Sequence, residues 1–492
     1  MGGRLGAQFR SLVGPSDPHI RRGQQVFSPV GSRWSPRISS CILRTYHGSL
    51  DDGLRDLHNY LRRYVMPSNP DDRFPWVHYN TWIPYLWRIS DTVLKHELDI
   101  AQEIGVECFY LDAGWCEYMD NDMETGLGHW MDDRKKFPTG VAGFSDEVHR
   151  RGMKFALWVE PERTNRRFVG KEIQESWLSK RNGYYVGLDE TAIVCFGNPE
   201  VRAWAKEWLE RVISEFKVDW VRWDLNVYNI CNRPDHGHQA GDGDFMHING
   251  VYDVMGYLRQ RFPKLVIENC AGGGNRFGFG VMRYANTTLN SDVLWPSYRA
   301  RYQLIGCSYP FPAQYQLATY VKTLSHPVSA PKEPVDGSGS STYLDYLFRS
   351  RMMGTFGISD RMVEWTPNVK EAARKAIRDF KKLRPILQGE VYHLLLQAVI
   401  LTPPMNPPNR WEALQYYHPG LDASVIFCFR AQASETQKTM QVRGLRLDHR
   451  YRVRFEDAEK SYQATGQALA RNGITVHLPE MNSSEIVWIE KA

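Results

Sequence analysis

Asp224 sits in Arg222-Trp223-Asp224-Leu225-Asn226, directly after the apolar run Val218-Asp219-Trp220-Val221. The run reads as a buried strand, and an ionisable side chain just past such a strand lies where a parallel barrel keeps its chemistry. Asp292, in Asn290-Ser291-Asp292, follows a second short stretch, Thr287-Thr288-Leu289. One strand-end aspartate alone serves equally well as a turn or helix-cap residue. Two of them, in a chain with 16 Trp and 25 Tyr, suggest a pair of carboxylates working on a sugar. Aromatic faces stack on the apolar C–H faces of sugars, although they also fill cores.

The elements that must hold these residues alternate. Val77-His78-Tyr79-Asn80 is a candidate first strand. Ser90 caps a helix whose Val93, Leu94, Leu98, Ala101 and Ile104 share a face. Cys108-Phe109-Tyr110-Leu111 reads as the second strand, ending at Asp112, and Phe155–Val159 as the third, ending at Glu160. Asn198-Pro199 opens a helix, with proline preorganised at its first position. The Asp224 strand, a further helix and Leu265-Val266-Ile267-Glu268 follow. Strand and helix at this pace predict an α/β fold, a (β/α)8 barrel. Short alternating segments such as Ser424–Phe429 and Glu485–Ile489 predict a small C-terminal all-β domain. The expected division is a basic, poorly ordered tail or remnant over 1–40, a connector helix within 41–70, the barrel over 71–390 and an antiparallel β domain over 391–492.

The length, 492 residues, suits a barrel plus one smaller domain. A net charge of +5 from 61 basic and 56 acidic residues does not argue for nucleic acid. No apolar run is long enough for a membrane span. The eight cysteines, at 41, 108, 116, 195, 231, 270, 307 and 428, include no CxxC pair, which argues against a zinc ribbon and for a reduced, cytoplasmic protein. His236, His238 and His247 share a Gly/Asp loop. They read as a substrate-side loop, with no metal and no cofactor expected. Residues 1–40 carry Arg4, Arg10, Arg21, Arg22, Arg33 and Arg37 against a single acid, Asp17. A transit peptide, a disordered tail, a domain remnant and a misplaced gene start all fit that composition.

Five segments in order resemble the catalytic barrel of glycoside hydrolase family 36, the melibiase-type α-galactosidases. Phe109–Trp115 is similar to that family's strand ending in Asp-Asp-Gly-Trp. Leu157-Trp158-Val159-Glu160-Pro161-Glu162 resembles its Leu-Trp-Phe-Glu-Pro-Glu. Arg222–Asn226 resembles the nucleophile motif Lys-Trp-Asp-Met-Asn, Glu268–Gly274 with Arg276-Phe277 the glycine-rich region, and Ser291-Asp292 the acid/base motif. The likeness runs from about residue 45 to the C-terminus. The family's N-terminal β-sandwich has no counterpart in it.

The resemblance implies a retaining exo-glycoside hydrolase acting on α-galactosides or close relatives. Asp224 would be the nucleophile. Asp292 would be the acid/base, its pKa raised by partial burial and by the charge of Asp224. Asp112, Trp158, Arg222, Asn226, Cys270, Gly272 and Arg276 would bind substrate, with Asp112 accepting from hydroxyls, Trp158 stacking on the ring and the glycines admitting substrate to the backbone. The implied partner is an oligosaccharide or glycoside, with no nucleic acid or membrane; self-association into a homo-oligomer is allowed for.

Three positions depart from the family pattern. Ala113 replaces the second Asp of Asp-Asp-Gly-Trp, Arg222 replaces Lys, and Gly278 replaces Asp. Fewer carboxylates and a guanidinium predict a more positive pocket. An α-N-acetylgalactosaminidase, a glycosidase for a C6-altered or anionic galactose-type sugar, and an inactive carbohydrate-binding relative therefore stand beside the leading reading. The same reasoning predicts that Ala113→Asp with Arg222→Lys improves turnover of a plain α-galactoside.

Overall fold

The computed structural model describes residues 45–293, 296–320, 341–395 and 409–492, with the short paired strands Arg21–Arg22 and Ile42–Leu43. Apart from Arg21–Arg22, the basic segment 1–40 lies outside the described residues. Eight parallel strands close into a barrel: β1 (His78–Asn80), β2 (Cys108–Leu111), β3 (Lys154–Val159), β4 (Trp220–Trp223), β5 (Val266–Asn269), β6 (Thr287–Leu289), β7 (Gln316–Tyr320) and β8 (Thr355–Ile358). β8 pairs with β1 through Gly357↔His78 and Ile358↔Tyr79, which closes the ring. A side chain at Gly357 would stand 2.2 Å from the His78 imidazole, so glycine there is what lets the buried histidine fill the barrel interior.

The helices begin where the sequence places their caps. Ser90 Oγ accepts from the Val93 N–H at the start of Asp91–Ile104. Asn198 Oδ1 accepts from the Glu200 N–H at the start of Pro199–Glu215. Each cap satisfies an amide that the first helical turn leaves without a partner. The helix Leu50–Tyr64 precedes the barrel, and Leu54 and Leu61 on its inner face are buried. Among the described residues no helix is long and apolar enough to cross a membrane.

Two features of the chain depart from a plain strand–helix alternation. The β3–β4 connection carries two small antiparallel pairs, Arg163–Asn165 with Thr191–Ile193 and Lys180–Arg181 with Tyr184–Tyr185. After the long helix Pro367–Leu387, a six-stranded antiparallel sheet forms, whose centre is Trp411–His418, Ala423–Arg430 and Ser483–Lys491. That sheet docks on the barrel's outer helices through Arg301. Its guanidinium is fully buried and donates to Glu412 at 2.7 Å, to the Tyr346 hydroxyl at 2.6 Å and to Ser350 at 2.8 Å. A buried guanidinium is tolerated only when its donors are taken up in this way.

Candidate active site

All nine residues singled out in the sequence lie among the described ones, on the β2–β6 side of the barrel. Asp224 directly follows β4. Its Oδ2 accepts from the Trp158 indole N–H and from Asn226 Nδ2, both at 3.1 Å. Its Oδ1 accepts from the Leu225 amide at 2.8 Å and from the Gly272 amide at 3.3 Å. Four donors from β3, β4 and the loop after β5 therefore set the orientation of one carboxylate.

The glycine-rich turn joins the two aspartates. Gly272 and Gly273 have φ of +49° and +81°, the left-handed region that favours glycine. The Gly272 amide touches Asp224. The next residue lies so close to the loop after β6 that a Cβ on Gly273 would stand 2.6 Å from the Asp292 amide nitrogen. Gly274 is pressed against Asn290 in the same way, at 2.2 Å from its carbonyl oxygen. The glycines admit the Asp292 loop, a contact the sequence reading did not assign to them.

Asp292 is exposed, in the loop that follows β6. Its carboxyl is pushed up to about 6, first by desolvation within the surrounding walls and then by the negative charges of Asp224 and Asp112, against the opposing pull of Arg222. The residue keeps solvent contact, so the desolvation comes from the groups packed around it rather than from a place in the core. A carboxyl of this kind holds its proton further toward neutral pH than an ordinary aspartate does.

Arg222 does not make the floor positive. Its Nε donates to Glu268 at 2.8 Å, its Nη1 donates to Asp112 at 3.1 Å, and its guanidinium lies 4.7 Å from the Tyr110 ring centroid. Glu268 is the register neighbour of Arg222 on β5. Burial pushes Glu268 up to about 7, with the charge of Asp112 adding to the rise and Arg222 opposing it. Burial raises Asp112 as well, again against Arg222. Two carboxyls take up one guanidinium, so the charge of Arg222 is offset where the sequence reading expected a positive pocket. The double replacement Ala113→Asp with Arg222→Lys loses its rationale too. Ala113 is fully buried, and lysine lacks the planar fork that spans two carboxylates. Arg222→Lys alone is expected to lower the urea midpoint of unfolding, a loss of roughly 1–3 kcal/mol, read by circular dichroism. An unchanged midpoint would mean that the bridge contributes nothing.

Trp158 is 1% exposed and spends its indole N–H on Asp224. It presents its indole nitrogen to Asp224, and its ring is buried. Asn226 is exposed, and its amide bridges Asp224 and Glu160. Cys270 directly follows β5 and is buried, and burial pushes its thiol up, with the charge of Asp224 adding to the rise. Arg276 is tied back into the protein: it donates to Glu162 at 2.7 Å, to Asn269 Oδ1 at 3.1 Å and to the Cys270 carbonyl at 3.3 Å.

Three glutamates missing from the sequence-based site organise it. Glu160 accepts from Arg163 and Asn226, and burial pushes it up to about 7 against the pull of Arg163. Glu162 accepts from Trp223, Arg276 and His247; burial would raise it, but Arg276 and His247 outweigh that and leave it at about 2. Glu268 holds Arg222. Glu160 and Glu268 directly follow apolar runs and Glu162 comes two residues after Glu160, and a carboxylate in such a place demands a buried cation or several N–H donors. That demand was the available signal. His247 Nδ1 accepts from the Phe196 amide, so its Nε2 carries the proton given to Glu162. His236 and His238 lie elsewhere, with Cys195 and Cys231.

A family model described as Melibiase matches residues 39–389. The alpha-galactosidase Mel36A of Lactobacillus acidophilus is 28% identical over 364 residues, which cover 71% of this chain and 47% of that protein. The bifunctional alpha-galactosidase/sucrose kinase AgaSK of Mediterraneibacter gnavus is 27% identical over 459 residues, which cover 92% of this chain and 46% of that protein. The chain spans about half the length of these curated relatives. Among solved structures, the alpha-galactosidase of Lactobacillus brevis matches with a TM-score of 0.78 at 22% identity, covering 92% of this chain and 60% of that one. AgaA of Geobacillus stearothermophilus matches with a TM-score of 0.76 at 22% identity and the same coverage, and a variant of it has been solved with raffinose. These likenesses in structure carry the fold.

Proposed function

The chain belongs to the melibiase family, and from that premise we propose that it is a retaining glycoside hydrolase that removes terminal α-galactosyl units or close relatives from oligosaccharides. One observation carries the reading: the Gly272-Gly273 turn touches the Asp224 carboxylate with one residue and abuts the Asp292 loop with the next. Two carboxyls in different surroundings then lie near enough for the charge of one to raise the other: Asp224 is oriented by four donors, and Asp292 is raised to about 6. Such a division of environments supports Asp224 as nucleophile and Asp292 as acid.

In the first step an Asp224 oxygen bonds to the anomeric carbon as the bond to the leaving oxygen breaks, and that oxygen takes the proton of Asp292. In the second step Asp292, now a carboxylate, removes a proton from water. The water oxygen attacks the anomeric carbon and Asp224 leaves with its original charge. Asp112 and Asn226 stand beside the reacting carboxylate as hydrogen-bonding partners for hydroxyls. With the Arg222 guanidinium taken up by Asp112 and Glu268, the floor does not offer it as a free cation to an anionic sugar, which favours a neutral one.

A panel of aryl glycosides tests this. Aryl α-galactoside and raffinose are expected to be turned over, with α-galactose as the first anomer seen by proton NMR. α-N-Acetylgalactosaminide, β-L-arabinopyranoside and α-galacturonide should be slower. No turnover of any member, with sugar binding retained, would make the chain a binding protein instead.

Gly273→Ala tests the turn itself. It places a side chain at a left-handed φ and against the Asp292 backbone. Stability is expected to fall by about 1–2 kcal/mol. kcat/KM should fall by more than that, since the strain displaces the acid from the nucleophile. An activity loss no larger than the stability loss would place the glycines outside the catalytic geometry.

A further inference from the structure

Cys195, Cys231, His236 and His238 converge, and we propose that they form a structural zinc site that ties the loop after β4 to the β3–β4 insertion. The inference stands whether or not the protein hydrolyses glycosides. One ligand atom from each of the four residues lies within 4.8 Å of the others, and all four residues are buried. The Cys195 sulfur is 3.4 Å from His238 Nε2, and the Cys231 sulfur is 3.4 Å from His236 Nδ1. With zinc–sulfur bonds near 2.3 Å and zinc–nitrogen bonds near 2.05 Å, a tetrahedral site has sulfur–nitrogen edges of about 3.6 Å.

The other ring nitrogens complete the argument. His236 Nε2 donates to the Ser176 carbonyl at 2.7 Å, and His238 Nδ1 donates to the Gln239 carbonyl at 2.9 Å. A carbonyl only accepts, so each of those nitrogens carries the proton. His236 Nδ1 and His238 Nε2 are then left as lone pairs aimed at the sulfurs. Fixing a ligating histidine through its second nitrogen is what metal sites do. Gly237, at φ +74°, reverses the chain between the two histidines so that both face one point. Gly197 and Gly243 allow the close packing: a side chain on either would press on the His238 ring, at 2.7 Å and 3.0 Å.

Two thiolates and two imidazoles are the ligand set of a closed, four-coordinate zinc, with no position open for a substrate. On binding, the thiol protons leave to solvent and the doubly charged ion meets two thiolates, giving a neutral unit that burial does not penalise as it would a bare charge. Cys231 also borders an open surface pocket of about 210 Å³ with Arg181, Asn182 and Asn232, which offers the ion a way in. The usual sequence cue, a CxxC, is missing because Cys195 and Cys231 come from two different loops.

The test uses the full chain, expressed without a histidine tag, under reducing conditions. Plasma mass spectrometry should find about one zinc per chain. Cys231→Ser and His236→Gln should each drop the content at least tenfold, while Cys307→Ser keeps it. Cobalt added to the zinc-stripped wild type should give the sulfur-to-metal charge-transfer band and the intense visible bands of tetrahedral thiolate coordination. This readout decides the matter even if the variants fail to fold. Wild type that takes up neither zinc nor cobalt overturns the proposal. So does metal retained by both variants, or a Cys195–Cys231 disulfide found by mass spectrometry.

Discussion

Asp224→Gly is expected to abolish hydrolysis of an aryl α-galactoside, with kcat falling on the order of 10⁴-fold or more. The expectation rests on where the carboxylate stands. Four N–H groups from Trp158, Asn226, Leu225 and Gly272 point at its two oxygens, so a neighbouring side chain has no way to take its place. Removing it leaves a small vacancy lined by donors, which suits an external anion. Azide or formate should therefore restore part of the rate. Azide enters from the side that Asp224 occupied, so the product is a β-galactosyl azide, inverted at the anomeric carbon. Thin-layer chromatography and NMR read the product. Activity close to wild type would remove Asp224 from the mechanism; an α-azide would put the nucleophile on the wrong face. Folding is a separate question, since the lost carboxylate also leaves the Trp158 indole N–H without its partner. A thermal melt run beside the kinetics separates the two.

The elements around this site were unevenly legible. β2 and β6 were read from the sequence with the bounds they have, because each is followed at once by a polar residue, Asp112 or Asn290. β7 and β8 were not. Gln316–Tyr320 and Thr355–Ile358 contain Gln, Thr and Gly in place of an apolar run. They are strands because the ring has to close on β1, and the demand at Gly357 comes from His78 on that neighbouring strand. The site divides along the same line. Asp224 and Asp292 follow from strand ends and motif order. The bridge from Arg222 to Glu268 joins residues 46 positions apart in the chain, and only the strand register brings them together. The motif placed Arg222 beside Asp224, but nothing in one sequence said that two carboxyls would take up its charge. Trp158 shows the same limit: its type suggested a stacking surface, and its burial made it a hydrogen-bond donor. The Cys195–Cys231–His236–His238 cluster was hidden for a further reason, since the insertion that supplies Cys195 folds back by short strand pairs that no periodicity announces.

Asp292→Asn should separate substrates by their leaving groups. An amide is close in shape to the carboxyl but has no proton to transfer, so leaving oxygens that need protonation lose the general-acid contribution, roughly 10²–10⁴-fold. Raffinose and alkyl galactosides belong there. A dinitrophenyl galactoside departs readily as its anion, and its first step should be nearly spared. The second step then suffers, because no base activates water. A burst of phenolate followed by slow turnover is the expected trace. Azide needs no base, so it should speed that second step and give an α-galactosyl azide, the opposite anomer from the Asp224→Gly product. The pH profile adds a second arm. The wild-type carboxyl titrates at about 6, raised above the usual aspartate value, so the protonated acid is present below that pH and is lost as pH rises through it. kcat/KM for a poor leaving group should accordingly fall on the alkaline side, about tenfold per pH unit at the limit, and that limb should vanish in Asp292→Asn. Removing the negative charge with Asp224→Asn should move the Asp292 titration to lower pH, measurable by carboxyl NMR in the inactive protein, because Asp224 is one of the charges that raises it. Equal losses for good and poor leaving groups, with the alkaline limb intact, would give the acid role to another residue. Glu160 and Glu268, both held near 7 by burial, would be the next carboxyls to replace.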